Sequence, residues 1–506
     1  MTTPDHGLQV TTGDLAPDAF RVAGHRTVEW IAGYLAGGVE RYPVLARVRP
    51  GDVRSALPAD APEEPEPLDR ILDDFERHIV PGTTHWNHPG FLAYFGISGS
   101  APGVLGEFLG SALNVNAMLW RTGPAATELE EVALGWVRRM LGLPAEFHGV
   151  IQDTASASSL VALAAARHQV PGLDVRERGL AGAPRLVMYA SAEAHSSIDK
   201  AAIALGIGRS GLRKIPTDAE LRMDPGALAA AIREDRAAGM VPFAVVATVG
   251  TTSTTSVDPV PEIAAICAEH RLWLHVDAAY GGAAAVLPEM RWVLAGCERA
   301  DSLVVNPHKW LFTPIDCSAL YCRRPDVLRD AFDVLPEYLR TTGAAAAGEP
   351  RNLMDYGLSL GRRFRALKLW MVLRAFGARG IRDRIRAHIE LARRLAERVD
   401  AAPEFERMAP APLSVVCLRA RPRDLAARGG EPAAGAYLDR LNEALLQAVN
   451  ATGEAFLSHT RVRARFTLRV AIGNLRTTAA HIDRAWEILQ AEAARLDREL
   501  RPPALA

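Results

Sequence analysis

Lys309 lies in the run VVNPHKWLF (304–312), behind an apolar stretch and ahead of Trp310, Leu311 and Phe312. Lysine is rarely fully buried unless something pairs with it, so an ammonium group here needs a chemical reason. A free lysine has a pKa of about 10.4, which leaves roughly one molecule in 2,500 neutral at pH 7. Desolvation favours the neutral amine, the form that condenses with a carbonyl to give a Schiff base. Other residues offer what a phosphate-bearing carbonyl cofactor with a ring nitrogen requires. Asp277, which ends LHVD, can keep such a nitrogen protonated. Asp153, Thr154, Ala155 and Ser156 open the helical stretch SSLVALAAAR, and Thr251, Thr252 and Ser253 follow VATVG. Backbone N–H groups at a helix start and small hydroxyl residues suit a phosphate, with Ala155, Ser156 and Thr252 as candidates. His195, just past MYAS, offers a flat ring to cover one cofactor face. Singly, a histidine near a strand end, a Ser/Thr run or an HxD pair is more often structural than functional. Around the NPHKW lysine they form one device, whose natural carbonyl is pyridoxal phosphate (PLP), an electron sink when its ring nitrogen is protonated.

Each of these residues follows a short apolar run. RLVMYAS (185–191), FAVVATVG (243–250), LWLHVDAAY (272–280) and SLVVN (302–306) have helical patterns between most of them. That alternation predicts an α/β fold with a mostly parallel sheet covered on both faces. Ligands of such sheets bind at the carboxyl ends of the strands. Upstream, Val28, Ile31, Leu35 and Val39 recur at helical spacing, PEEPEP (62–67) reads as a linker, and Leu68 to Ile79 mark a second amphipathic helix. A further helix is expected over 125–141. Residues 325–352 have no core stripe and read as a long loop. A helix over 361–377, a helical stripe running on to Leu395, strands LSVVCL (413–418) and FTLRVAI (466–472) and a helix over 479–497 suggest a smaller α+β unit. The expected division is an N-terminal helical segment (1–100), a large PLP-binding domain (101–368) and a small C-terminal α+β domain (369–506).

The chain has 506 residues, more than one core usually supports. Its 58 basic and 59 acidic residues nearly cancel, which argues against nucleic acid or an anionic membrane as partner. The five cysteines show no CxxC spacing, so neither a disulfide framework nor a zinc site is suggested and a cytoplasmic location is expected. The polar start MTTPDHGLQVTTGD has no signal pattern.

With these residues assembled, about residues 18–500 resemble the group II PLP-dependent decarboxylases, in the aromatic-L-amino-acid decarboxylase branch. The resemblance rests on FRVAGHRTVEWIAGYL, THWNHPGFLAYF, GVIQDTASASSLVALAAAR, AHSSIDKA, ATVGTTSTTSVD, WLHVDAAYGG, NPHKWLF, DCSAL and LGRRFRALKLW, in order. It implies the type I fold of PLP enzymes and a homodimer, with both chains contributing to each site and helices at about 18–80 wrapping the partner. It implies that Lys309 carries the cofactor, Asp277 pairs with its ring nitrogen, and Ala279 and His195 cover its two faces. Ala155, Ser156, Thr252, Asn306 and His308 would surround the phosphate. Tyr338 matches the catalytic loop tyrosine that protonates Cα. Phenylalanine there accompanies oxidative conversion to an aldehyde, so tyrosine implies simple decarboxylation to amine and CO2.

The chain also departs from the family pattern. DTAS stands where GSAS is common, and Asp153 is expected to cap the helix. In the substrate pocket, Trp86 and Tyr94 match. Ile97 stands where threonine is usual, Ile315 where phenylalanine is usual, and Asn87 where histidine is usual. Met118 and Asn116 occupy positions at which the partner subunit lines the pocket in animal enzymes. Gly361 leaves more room than the serine of some relatives with phenolic substrates, which favours an indole. The expected activity is decarboxylation of an aromatic L-amino acid (tryptophan-, DOPA-, tyrosine- or phenylalanine-like). The alternatives are another amino acid substrate, against which Met118, Ile97 and Ile315 offer no cation for a side-chain carboxylate, and an aromatic aldehyde synthase. A non-catalytic scaffold conflicts with the intact Lys309, Asp277 and His195.

Overall fold

The computed structural model describes residues 14–334, 351–428 and 431–505. Within them lie strands β1 (Phe91–Leu92), β2 (His148–Gln152), β3 (Leu186–Ser191), β4 (Leu212–Ile215), β5 (Val241–Thr248), β6 (Trp273–Asp277), β7 (Ser302–Val305), β8 (Ser318–Cys322), β9 (Phe405–Arg407), β10 (Val415–Ala420), β11 (Phe456–Val462) and β12 (Arg465–Ala471). Seven strands form one sheet in the order β2-β8-β7-β6-β5-β3-β4. Strand β8 runs antiparallel to both neighbours, and the other pairings are parallel. The apolar runs predicted this α/β architecture because both faces of the sheet are covered. Along β5, Val245 and Ala247 pack into one core cluster while Ala244 and Val246 pack into another on the opposite face.

Four of the connecting helices begin at a side-chain cap that their sequences provide. Asp224 accepts hydrogen bonds from Gly226 N (2.8 Å) and Ala227 N (3.1 Å) ahead of helix Pro225–Ala237, satisfying donors that a helix start leaves unpaired. A second sheet has the order β1-β11-β12-β10-β9. Strand β1 pairs parallel with β11, so the segment before residue 100 supplies a strand to the sheet of the C-terminal region as well as helices. The first helix spans Pro17–Leu35, and Val39 falls beyond it in a separate short turn. Gly37 adopts φ 108°, a left-handed conformation that ends the helix. The helix expected over 361–377 starts at Arg365, breaks at Gly377 (φ 64°) and resumes to Ala401. Part of the expected loop after 325 is helix Pro325–Phe332. Tyr338 lies outside the described residues.

Helix Ala101–Leu113 leaves Leu105, Phe108, Leu109 and Leu113 exposed along one stretch. Among the described residues, no helix is long and apolar enough to cross a membrane.

Candidate active site

Strand β6 delivers Asp277 to its carboxyl end, where Oδ1 accepts a hydrogen bond from Ala279 N (3.1 Å). Ala279 O accepts from Asn306 N (3.0 Å), which joins the end of β6 to the end of β7. Past β7 the chain makes one helical turn, Pro307–Trp310, that carries Lys309. Trp310, Leu311 and Phe312 are fully buried and anchor the turn. Tyr280, next to Ala279, stacks between Trp310 (centroids 4.6 Å apart) and Phe95 (3.8 Å). Lys309 Nζ lies 5.2 Å from the Phe95 ring centroid. The apolar residues around the lysine thus build a rigid aromatic backing behind it.

Lys309, Asp277, Ala279, Asn306 and His308 line a cavity of 210 Å³ together with His195, Ala155, Ser156 and Thr252. Burial pushes the Lys309 amine below its ordinary value, Asp277 opposes that shift, and Arg469 adds to it. A buried cation is disfavoured by desolvation, so the amine moves toward its nucleophilic form. His308 Nδ1 accepts from Cys317 N (2.9 Å), and burial pushes its pKa down to about 3. The ring is therefore neutral near pH 7, with its proton on Nε2. His195 caps helix Ser196–Ala204, its Nδ1 accepting from Ser197 N (3.1 Å), which leaves Nε2 as the nitrogen the cap does not use. Burial lowers its pKa despite the opposing pull of Asp277.

Helix Ala155–His168 starts at the cavity, and its cap is Thr154, whose side chain accepts from Ala157 N (3.4 Å). This corrects the expectation for Asp153. Asp153 Oδ1 instead accepts from Thr154 N (2.6 Å), one residue too early to act as the cap. The loop carrying Thr252 is held by Gly250 at φ 87°, where a Cβ would lie 2.9 Å from the backbone of Gly281.

Two buried atoms of the cavity residues, Thr248 Oγ1 and Asn306 Oδ1, lack hydrogen-bond partners among the described residues. Buried polar groups are normally paired. Two orphans, an amine, a carboxylate, two imidazoles and a helix start converging on one cavity fit an organic phosphate that also bears a ring and a carbonyl.

A second cavity of 370 Å³ adjoins the first and shares Phe95, His195, Thr252 and Lys309 with it. Trp86, Tyr94 and Ile97 line it, with Trp86 and Tyr94 stacked at 5.9 Å. Tyr94 has φ 50° and is held by its N–H donating to Ser458 Oγ (3.2 Å). The sequence reading missed Arg469, which lines the same cavity from β12. Arg469 Nε donates to Ser253 O (3.1 Å) and Nη1 to Tyr94 O, while the buried Nη2 has no partner among the described residues. The available signal was an arginine in the middle of FTLRVAI, an apolar strand.

Met118, Ile315 and Gly361, expected at the substrate, line neither cavity of their own chain. Met118 packs beside Leu119 and Met354, Ile315 is 56% exposed, and a Cβ on Gly361 would face Asn116 Nδ2 at 3.9 Å. Pro314, next to Ile315, abuts Gly103 of helix Ala101–Leu113. Met118 is half-buried, whereas Ile315 and Gly361 are exposed.

Residues 50–421 match the family model described as the pyridoxal-dependent decarboxylase conserved domain. Tryptophan decarboxylase 2 of Oryza sativa subsp. japonica is 39% identical over 487 residues, 95% of each chain. Phenylacetaldehyde synthase of a Rosa hybrid cultivar is 39% identical over 490 residues, again 95% of each. The crystal structure of Oryza sativa TDC with PLP and tryptamine superposes with a TM-score of 0.90 at 38% identity, covering 96% of this chain and 99% of that one. The type I α/β fold expected from the motifs is the fold found.

Proposed function

The chain belongs to the pyridoxal-dependent decarboxylase family, and from that membership we propose that it removes the carboxyl group of an aromatic L-amino acid, releasing CO2 and the amine. The observation that carries this reading is the joint cavity. Lys309, Asp277 and the start of helix Ala155–His168 line one part, and an aromatic wall with a buried guanidinium, whose Nη2 has no partner among the described residues, lines the other. PLP, when bound, supplies the electron sink that decarboxylation needs.

Lys309, Asp277 and Ala279 would hold the cofactor ring, with His195 over its other face. Ala155, Ser156, Thr252, Asn306 and His308 would hold its phosphate, His308 as a neutral Nε2–H donor. Trp86, Tyr94, Phe95 and Ile97 give a flat apolar wall for an aromatic side chain. Arg469, a buried cation whose Nη2 has no partner among the described residues, would hold the substrate carboxylate and fix its direction before it leaves. Tyr338, assigned from sequence resemblance, would return a proton to Cα.

Met118, Ile315 and Gly361 would complete the site from a second copy of the chain. The exposed Leu105, Phe108, Leu109 and Leu113 support a homodimer, since monomers seldom leave such a patch uncovered. Sedimentation velocity should give a dimer, and Phe108→Glu with Leu109→Glu should give monomer without activity. All five cysteines are free and buried, which supports a cytoplasmic location.

Aldehyde synthesis is the second reading, favoured by the likeness to phenylacetaldehyde synthase. The PLP-loaded enzyme should be incubated with each proteinogenic amino acid, DOPA and 5-hydroxytryptophan. CO2 and amine in equal amounts from an aromatic substrate, tryptophan foremost, are expected. Aldehyde, ammonia and hydrogen peroxide in place of amine would establish the second reading. No CO2 from any aromatic substrate would defeat both.

A further inference from the structure

A cavity of 560 Å³ opens at the edge of the seven-stranded sheet opposite the candidate active site. Strand β6 relates the two: Trp273 at its start lines this cavity and Asp277 at its end lines the other. Four residue steps at about 3.3 Å each put roughly 13 Å between those two backbone positions. The floor is apolar, built from Val241, Phe243, Leu272, Trp273 and Ala166. The rim carries Arg271, Arg299, Arg323 and Arg324 against one carboxylate, Asp301.

That carboxylate is already engaged. Asp301 Oδ2 accepts from Leu274 N (2.9 Å), and Oδ1 faces both Arg323 and Arg324 at 3.4 Å. Arg324 also lies over the Trp273 ring, 5.6 Å from its centroid. Arg299 Nη1 donates to Pro261 O (3.3 Å), and Arg271 makes no side-chain hydrogen bond or ion pair among the described residues. Four guanidiniums less one carboxylate leave three positive charges at this cleft. The whole chain has a formal net charge of −1, so the excess is local. Like charges held together at a cavity mouth repel one another, and an anion between them relieves that repulsion. Guanidinium groups suit phosphate through paired N–H bonds. An apolar floor beneath a cationic rim suits a ligand with one anionic end and an apolar body.

We propose that this cleft is a binding site for a small phosphomonoester, whose phosphate meets Arg271, Arg299, Arg323 and Arg324 while its apolar body covers the floor. The site is separate from the cofactor and substrate cavities and does not depend on which amino acid the enzyme uses.

The test is calorimetric titration of the PLP-saturated enzyme, whose cofactor site is already filled, with phenyl phosphate and with inorganic phosphate as probes. Phenyl phosphate should bind at one site per chain, at least ten-fold tighter than inorganic phosphate, and more weakly as NaCl is raised. Arg271→Gln with Arg299→Gln should weaken it at least ten-fold, leaving the bound-cofactor absorbance unchanged. Both side chains are exposed, and the melting temperature checks the fold. Arg324→Gln is the second variant and should also weaken binding. No binding at millimolar phenyl phosphate overturns the proposal. So does binding that these variants leave intact, which would lie elsewhere, or equal affinity for the two probes, which would mean the floor is unused.

Discussion

Arg469→Gln removes one charge from the cavity beside Lys309 and leaves a shorter, neutral polar side chain. In the structure, Nε and Nη1 are used by Ser253 O and Tyr94 O, which leaves Nη2, without a partner among the described residues, to meet a substrate. A hydrogen bond to a charged partner nets about 1.5–3 kcal/mol. At about 1.4 kcal/mol per factor of ten, its loss weakens a carboxylate ligand by about ten- to 150-fold. The carboxylate becomes neutral CO2 as the reaction proceeds, so the contact favours the bound amino acid more than the later transition state. The loss should therefore appear mainly as a raised KM, with kcat changed less. A ligand pair isolates the effect. The amine product has no carboxylate, so its inhibition constant should stay near the wild-type value while KM for the amino acid rises. Arg469→Lys, which keeps the charge, should recover part of the loss. The two backbone carbonyls also lose donors, so the melting temperature should fall in Arg469→Gln. If amine and amino acid weaken equally, Arg469 acts only by holding the segments of Ser253 and Tyr94 in place, and the carboxylate role is refuted.

Lys309→Ala should abolish turnover and let PLP be removed by desalting, whereas undiminished steady-state activity would refute its role. Tyr338→Phe should shift product from amine toward aldehyde, ammonia and hydrogen peroxide, and an unchanged ratio and rate would show that the loop assignment is wrong. His275 is fully buried between Ser302 Oγ (2.9 Å) and Ser159 Oγ (3.0 Å), and burial pushes its pKa from 6.5 down to about 4. The unfolded chain accepts a proton below pH 6.5 that the folded chain refuses until about pH 4. The associated stability is therefore whole above pH 6.5 and lost as pH falls through that window, by about 3 kcal/mol in all. His275→Gln should flatten this part of the urea-unfolding curve against pH, and an identical slope would refute the assignment. Gly250→Ala places a Cβ 2.9 Å from Gly281 at φ 87°. It should lower stability by at least about 1–2 kcal/mol and weaken PLP binding measured by absorbance, since Thr252 rides on that loop.

Much of the cofactor cavity was legible in the sequence because its residues follow short apolar runs, bounded by turn residues, that read as buried strands. Once LHVD, SLVV and VATV lie side by side in one parallel sheet, Asp277, Lys309 and Thr252 must emerge at the same edge. The helix at Ala155 was legible from its small hydroxyl start, although the identity of its cap was not. Thr154 and Asp153 both offer an oxygen, and only the backbone path decides which one reaches a helical N–H. Strands β4 and β11 were hidden because short or polar segments become strands only when a partner supplies their hydrogen bonds.

The sequence by itself fixed the chemistry: a lysine, a carboxylate, two histidines and a helix start placed at strand ends, where the sheet itself enforces proximity. Tertiary structure alone decided what faces that chemistry. Arg469 reaches Lys309 from a different sheet, 160 residues further along the chain, and no local pattern encodes that meeting. Met118, Ile315 and Gly361 match a substrate pocket by position in the sequence, but in their own chain they line neither cavity. Local periodicity records whether a residue is buried, whereas the partners it meets depend on how distant elements cross.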